Sequence, residues 1–221
     1  MLVAPVTAII SMARHFRRHL VVTTPAVAAA YGTAGVRPAA AAADGTAAGT
    51  LLIFGTGFIG EHVARLAAAR GYSVLGTTRR VGAREVELSR LGGVRPLVFQ
   101  GTEPMPEEVV ERHFPAVTHV LSTVPPSDGA DPVLAQHATA LQTRMPQLRW
   151  IGHLSTAAVY GAAAGDVVDS STEARPGSVV ARLRLLIEDE WAQLASRTPI
   201  PCRSCSLVLQ VAPPPQHDEA G

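Results

Sequence analysis

One junction constrains this chain more than any other feature. A short apolar run, 51–54, passes without a spacer into Gly55-Thr56-Gly57-Phe58-Ile59-Gly60. An amphipathic segment, 61–70, follows, in which Val63, Leu66 and Ala67 recur at helical spacing. Gly71 closes that segment, and a second apolar run, 72–77, begins at once. Strand, glycine turn, helix and strand in immediate succession make a βαβ unit, and that context gives a GxGxxG its meaning. Gly55 is expected to permit the tight turn, Gly57 to let a ligand approach the backbone, and Gly60 to let helix and strand pack closely. The free amides at the start of the helix, contributed by Phe58 and Ile59 among others, then face phosphate groups. A pyrophosphate-containing dinucleotide is the ligand this arrangement predicts.

The end of the second strand carries information on cofactor type. An NAD site wants a carboxylate there, about 20 residues beyond the glycines, to accept from the ribose hydroxyls. This chain instead has Thr77-Thr78-Arg79-Arg80. Two guanidinium groups suit a 2′-phosphate, so NADP is preferred over NAD.

The same αβ rhythm continues. Strands are predicted over 94–100, 119–124 and 148–154, with helices over 86–91, 107–113 and 131–145 between them. The alternation predicts a doubly wound, mostly parallel Rossmann-type sheet, whose ligands gather at the carboxyl ends of the strands. Residues 55–60, Arg79, Arg80, Val124, Pro125, Pro126, Ser155 and Thr156 should therefore surround one crevice. His153, inside an apolar strand, reads as a packed core residue, and Asp128 and Asp131 as turn or capping groups. Residues 202–211 supply one further candidate strand.

Several chemistries are excluded. The 221 residues include 19 basic ones, all of them Arg, so no lysine can serve as Schiff base, Walker phosphate clamp or proton relay. A net charge of +1 gives no broad electrostatic footprint for nucleic acid or an anionic membrane. Cys202 and Cys205 cannot make a disulfide framework; their Cys-x-x-Cys spacing would suit a redox pair or half a zinc site, but only His217 follows nearby, and they read as incidental.

Residues 1–49 differ from the rest. Asp44 is their only acidic residue, against Arg14, Arg17, Arg18 and Arg37, and they include an alanine run, 39–43. The charge-free stretch 20–36 contains Pro25 and is too weakly apolar to span a bilayer. Two readings stay open: a transit peptide for plastid or mitochondrion, or an overextended start (for instance with translation beginning at Met12) or unstructured leader on a cytoplasmic protein. Either way the segment is expected to stay outside the fold. The expected organisation is a leader over 1–49, a dinucleotide-binding domain over 50–210 and an unstructured tail over 211–221.

Residues 51–60, Val124-Pro125-Pro126 with Asp131-Pro132-Val133-Leu134, and Leu154-Ser155-Thr156-Ala157-Ala158-Val159-Tyr160-Gly161 resemble the atypical and extended short-chain dehydrogenase/reductases. The resemblance is closer to their NAD-dependent epimerase/dehydratase branch and runs over about 51–197. It implies a nicotinamide cofactor and a sugar nucleotide or small carbonyl compound as substrate. In that branch a Ser or Thr hydroxyl orients the reacting oxygen, a role that falls on Thr156. A Tyr tuned by a Lys four residues later transfers the proton. Tyr160 is a candidate acid, but Ala164 stands where the Lys is needed. Registering the next helix puts Val180 and Arg184 at the expected Tyr and Lys positions, and Arg184 could still touch a ribose hydroxyl. The substrate lobe of the family is largely missing after residue 210. Three readings follow: an oxidoreductase, epimerase or dehydratase; a dinucleotide-binding module without chemistry; or a truncated fragment.

Overall fold

The computed structural model describes residues 20–22, 48–79, 82–90, 92–161, 168, 172–198 and 203–209. For 20–22, 83–84 and 203–209 the description is of the backbone. Among the described residues seven strands occur in chain order: β1 (Leu20–Val22), β2 (Gly49–Phe54), β3 (Tyr72–Thr78), β4 (Val94–Val98), β5 (His119–Ser122), β6 (Trp150–Ser155) and β7 (Arg203–Leu209). They form one sheet in the order β1-β7-β6-β5-β2-β3-β4, and every adjacent pair is parallel. Helices α1 (Phe58–Ala68), α2 (Ala83–Ser89), α3 (Glu107–His113), α4 (Pro132–Thr143) and α5 (Val179–Ser196) connect them. The α/β Rossmann-type architecture read from the sequence is the one observed.

Strand alternation divides the core in two. Leu51, Ile53, Val74, Val94, Leu121 and Trp150 face one side and pack with Val63, Ala64 and Ala67 of α1. Leu52, Phe54, Leu75, Leu97 and Phe99 face the other, beneath Val110, Val133, Leu141, Ile187 and Trp191 from α3, α4 and α5. Burial on both faces explains why these strands read as apolar runs instead of alternating with polar residues.

The chain runs outward from β2 through β3 to β4, then returns to the other side of β2 and runs outward through β5, β6 and β7. The direction of strand order therefore reverses between β2 and β5, and at such a switch point the flanking loops diverge and leave a crevice.

Two expectations need correction. The leader was expected to stay outside the fold, yet Leu20–Val22 pairs with Leu207–Leu209 of β7 at the sheet edge. An apolar triplet satisfies its backbone there at an edge that β7 leaves open. The helix after the glycines was expected from residue 61 but starts at Phe58, so Gly60 belongs to its first turn. Glycine's low helix propensity hides such a start from periodicity alone. Arg80, Ala164, Cys202, His217 and the tail lie outside the described residues, as does most of the leader. Among the described residues no helix is long and apolar enough to cross a membrane.

Candidate functional site

The loop at 55–57 is pinned from both neighbouring strands. Gly55 has φ +88°, a region open to glycine, and a Cβ there would lie 2.8 Å from Thr123 Oγ1 and 3.2 Å from Val124 Cγ2. Thr123 Oγ1 donates to Gly55 O at 2.6 Å, and Thr123 N donates to Phe54 O at 2.9 Å. On the β3 side, Gly55 N donates to Thr77 Oγ1 at 2.8 Å. Thr56 N and Thr56 Oγ1 both donate to Thr77 O, at 2.9 and 2.7 Å. A Cβ on Gly60 would collide with Gly55 O and sit 3.3 Å from Ile53 Cγ2, so helix and strand meet at that glycine. Among the described residues nothing lies within 4 Å of the corresponding point on Gly57, the N-cap of α1. The start of the helix is therefore uncovered: Phe58 is 76% exposed and Ile59 half-buried.

Above this loop lies a cleft of about 630 Å³. Gly55, Thr56 and Gly57 form its floor, Thr78 and Arg79 one wall, and Val124, Pro125 and Pro126 the other. Arg79 is exposed and lines the cleft. Glu87 of α2 also lines it, a carboxylate the sequence did not single out. Thr77 and Thr123 were likewise not picked out as loop anchors, because a threonine at a strand end is too common to signal a role.

Thr156, Tyr160 and Arg184 are not among the residues lining this cleft. Thr156 caps a 3₁₀ turn, Ala157–Tyr160, by accepting from Ala158 N at 3.3 Å. Tyr160 is buried beside Val159, with Ala157 and Val168 packed against them. Arg184 is half-buried and its Nη1 donates to Leu154 O at 3.4 Å. Val180, one turn earlier on α5, is 68% exposed.

Behind this strand end is a buried polar cluster. Asp131 caps α4: its Oδ1 accepts from Val133 N at 2.7 Å and Leu134 N at 3.1 Å. Its Oδ2 accepts from Trp191 Nε1 at 2.9 Å and stands 3.9 Å from His153 Nδ1. The His153 ring stacks on Trp191, with centroids 5.9 Å apart. Ser155 Oγ donates to the buried Glu188 carboxylate. Burial holds His153 well below the ordinary imidazole range, with Arg184 adding to the shift while Asp131 and Glu188 oppose it. Burial also lowers the Arg184 pKa, against the pull of the same two carboxylates. The expected capping role of Asp131 and packing role of His153 match these contacts. The structure thus separates an open glycine-floored cleft from a closed, buried polar cluster. Among the described residues no group of His, Cys, Asp and Glu could hold a metal ion.

No family model and no curated protein matches the chain. Solved structures do. A functionally unknown conserved protein from Silicibacter pomeroyi is 34% identical, with a TM-score of 0.54, over 74% of this chain and 52% of that one. A UDP-glucose-4-epimerase from Stenotrophomonas maltophila, solved with NAD and a formylated UDP-arabinopyranose, is 21% identical over 72% of this chain and 52% of that one, with a TM-score of 0.52. A UDP-Glc/GlcNAc 4-epimerase from Campylobacter jejuni is 17% identical over 72% and 53%, with a TM-score of 0.54. The chain spans about half the length of each of these structures and shares their fold.

Proposed function

We propose that this chain is a dinucleotide-binding protein of the epimerase/dehydratase type, that it prefers NADP(H), and that its intrinsic turnover is slow. The open start of α1 above the 55–57 loop, at the point where strand order reverses, carries the reading. The fit is physical: among the described residues no side chain covers the Gly57 approach, and the first-turn amides of α1 have no helical carbonyl to bond. Gly55, Thr56, Gly57, Phe58, Ile59 and Gly60 would hold the pyrophosphate. Arg79 and Arg80 would take a 2′-phosphate, Val124 and Pro125 would flank the nicotinamide, and Arg184 would reach a ribose hydroxyl. A bound nicotinamide supplies hydride transfer to a sugar nucleotide or small carbonyl compound.

Calorimetric titration with both cofactors tests the binding half. NADP(H) should bind more tightly than NAD(H), and Arg79→Ala should remove about 1–3 kcal/mol of that preference, the range for a charge-assisted hydrogen bond. Equal affinities for the two cofactors, or an unchanged preference in Arg79→Ala, would refute it. Glu87→Gln is the companion variant, because a carboxylate in the same cleft opposes a phosphate and its removal should widen the gap.

The second half concerns chemistry. Thr156 Oγ1 accepts from Ala158 N yet still carries a proton to donate to a substrate oxygen. Val180 has no proton to give, and Arg184 has no phenol beside it. Turnover should therefore fall well below the ~1–10³ s⁻¹ usual for enzymes, and Val180→Tyr with Arg184→Lys should raise it. An ordinary rate in the unmodified protein, on carbonyl or sugar-nucleotide substrates, would mean another donor does the work, with Tyr160 the first to substitute. The alternative of a binding module without chemistry is favoured by the same Val180 and Arg184. It predicts binding with no turnover in either form.

A further inference from the structure

At the opposite end of the sheet from the glycine loop, the alternation that builds the core breaks down. The face carrying Leu52, Leu75 and Leu97 continues downward into Thr50 and Ser73, which are register partners, and into Arg95, the partner of Leu75. Gly93 adds no side chain beside them. Above this floor α3 is short and ends in Arg112 and His113, followed by the turn Phe114–Ala116. Floor and roof flank a second, open pocket of about 440 Å³, lined by Thr50, Ser73, Gly93, Arg95, Arg112 and His113 among others, with no carboxylate among the described lining residues.

Two arginines on separate elements here have no ion-pair partner among the described residues. The surface ion pairs seen elsewhere, Arg65–Glu61, Arg144–Glu107 and Arg175–Glu173, have no counterpart at Arg95 or Arg112 among the described residues. Cations in the last turn of a helix complement its carbonyl end, which accounts for Arg112 and His113. That does not account for Arg95, set on the adjoining strand so that its charge converges on the same space. We propose that this cavity is a second ligand site, which takes a phosphorylated small molecule and holds it by its phosphate between Arg95 and Arg112. Guanidinium forks match phosphate oxygens bidentately, the Thr50 and Ser73 hydroxyls offer further polar contacts, and the volume exceeds what a bare phosphate fills. The convergence is felt by His113, whose pKa is lowered first by burial and then by Arg95 and Arg112. This site is independent of the cofactor reading.

Calorimetric titration of the full chain with inorganic phosphate, and separately with glucose 6-phosphate, tests it at constant ionic strength. Both should bind, the ester at least as tightly as the free ion, and Arg95→Ala and Arg112→Ala should each weaken binding about tenfold or more, the loss expected of a hydrogen bond to a charged group. Both arginines are exposed, so folding should survive, and a circular dichroism melt of each variant checks this. Binding of inorganic phosphate alone, with the ester excluded, would overturn the small-molecule assignment. Binding that survives both substitutions but is lost in Arg79→Ala would place the phosphate in the glycine-floored cleft and overturn the second site, as would no binding at all.

Discussion

Trp191→Ala is expected to lower the unfolding free energy by about 3–5 kcal/mol, the range for truncating a large core aromatic. Trp191 is 2% exposed and among the largest fully buried side chains described. Its ring fills the space between α5 and the sheet and stacks on His153. Its indole N–H is also one of three donors to the buried Asp131 carboxylate. Against a typical domain stability of about 5–15 kcal/mol, a loss of this size brings the protein close to unfolding. Trp191→Phe separates the two contributions, since it keeps most of the apolar volume and deletes the donor; it should cost about 1–3 kcal/mol. Urea unfolding of both variants, in a double-mutant cycle with Asp131→Asn, measures the coupling. If Trp191→Phe lies within about 0.5 kcal/mol of the parent, the range of an inconsequential surface change, the bond to Asp131 contributes nothing. The effect should also reach the cleft, because Pro132, next to Asp131, lines it.

Stability should fall steeply as the solution is acidified from pH 6.5 to pH 4. His137 is buried among Phe54, Phe99 and Phe114, and its Nε2 accepts from Met105 N at 3.2 Å. Burial lowers its pKa from 6.5 to about 4. His119 is brought to about 4 by burial and by Arg149. Each imidazole is thus neutral in the folded protein over a range where the unfolded chain binds a proton. The unfolded state takes up more protons there, so stability rises with pH and is fully present only above about 6.5. As pH falls through that window the contribution is progressively lost, and it levels off near pH 4. A pKa of about 4 against 6.5 corresponds to roughly 3 kcal/mol for His137 between the two limits. Urea unfolding at pH 7, 6, 5 and 4 would show it, and His137→Gln, which keeps an acceptor for Met105 N, should flatten the slope. A stability that stays level between pH 7 and 5, where imidazoles are the side chains that ordinarily titrate, would contradict this account.

What was legible in the sequence follows from how far apart the cooperating residues lie. The β2–loop–α1–β3 unit is local, and its glycines, strand and helix are contiguous, so motif and periodicity together reveal it. The cap at Asp131 was legible for the same reason, since it sits just ahead of Pro132 at the helix start. Its bond to Trp191, 60 residues on, was not. Nor were Thr77 and Thr123, whose hydroxyls matter only because the sheet brings them against Gly55. Gly76 shows the limit well: a Cβ there would lie 2.7 Å from Thr56 Cγ2, yet nothing around it in the sequence marks a close approach. Thr156 and Arg184 were singled out by family resemblance alone, and the contacts they make with Ala158 N and Leu154 O carry no signal in the sequence. Glu87 was passed over because one carboxylate on a charged helix carries no local signal of what it faces.

The way the 55–57 loop is held has a consequence for assembly. One of its anchors comes from 22 residues downstream and the other from 68. Neither half of the sheet holds the loop on both sides by itself, and contacts of such long span form only after the intervening chain has been organised. A chain folded as far as β3 has its glycines in sequence but lacks the Thr123 brace and the Val124–Pro126 wall. Under the proposed reading, nucleotide bound in the finished cleft would favour the fully assembled sheet over every partly folded form, by mass action. A ligand held as proposed would act as a late inspector of folding, rewarding only chains in which both halves have met.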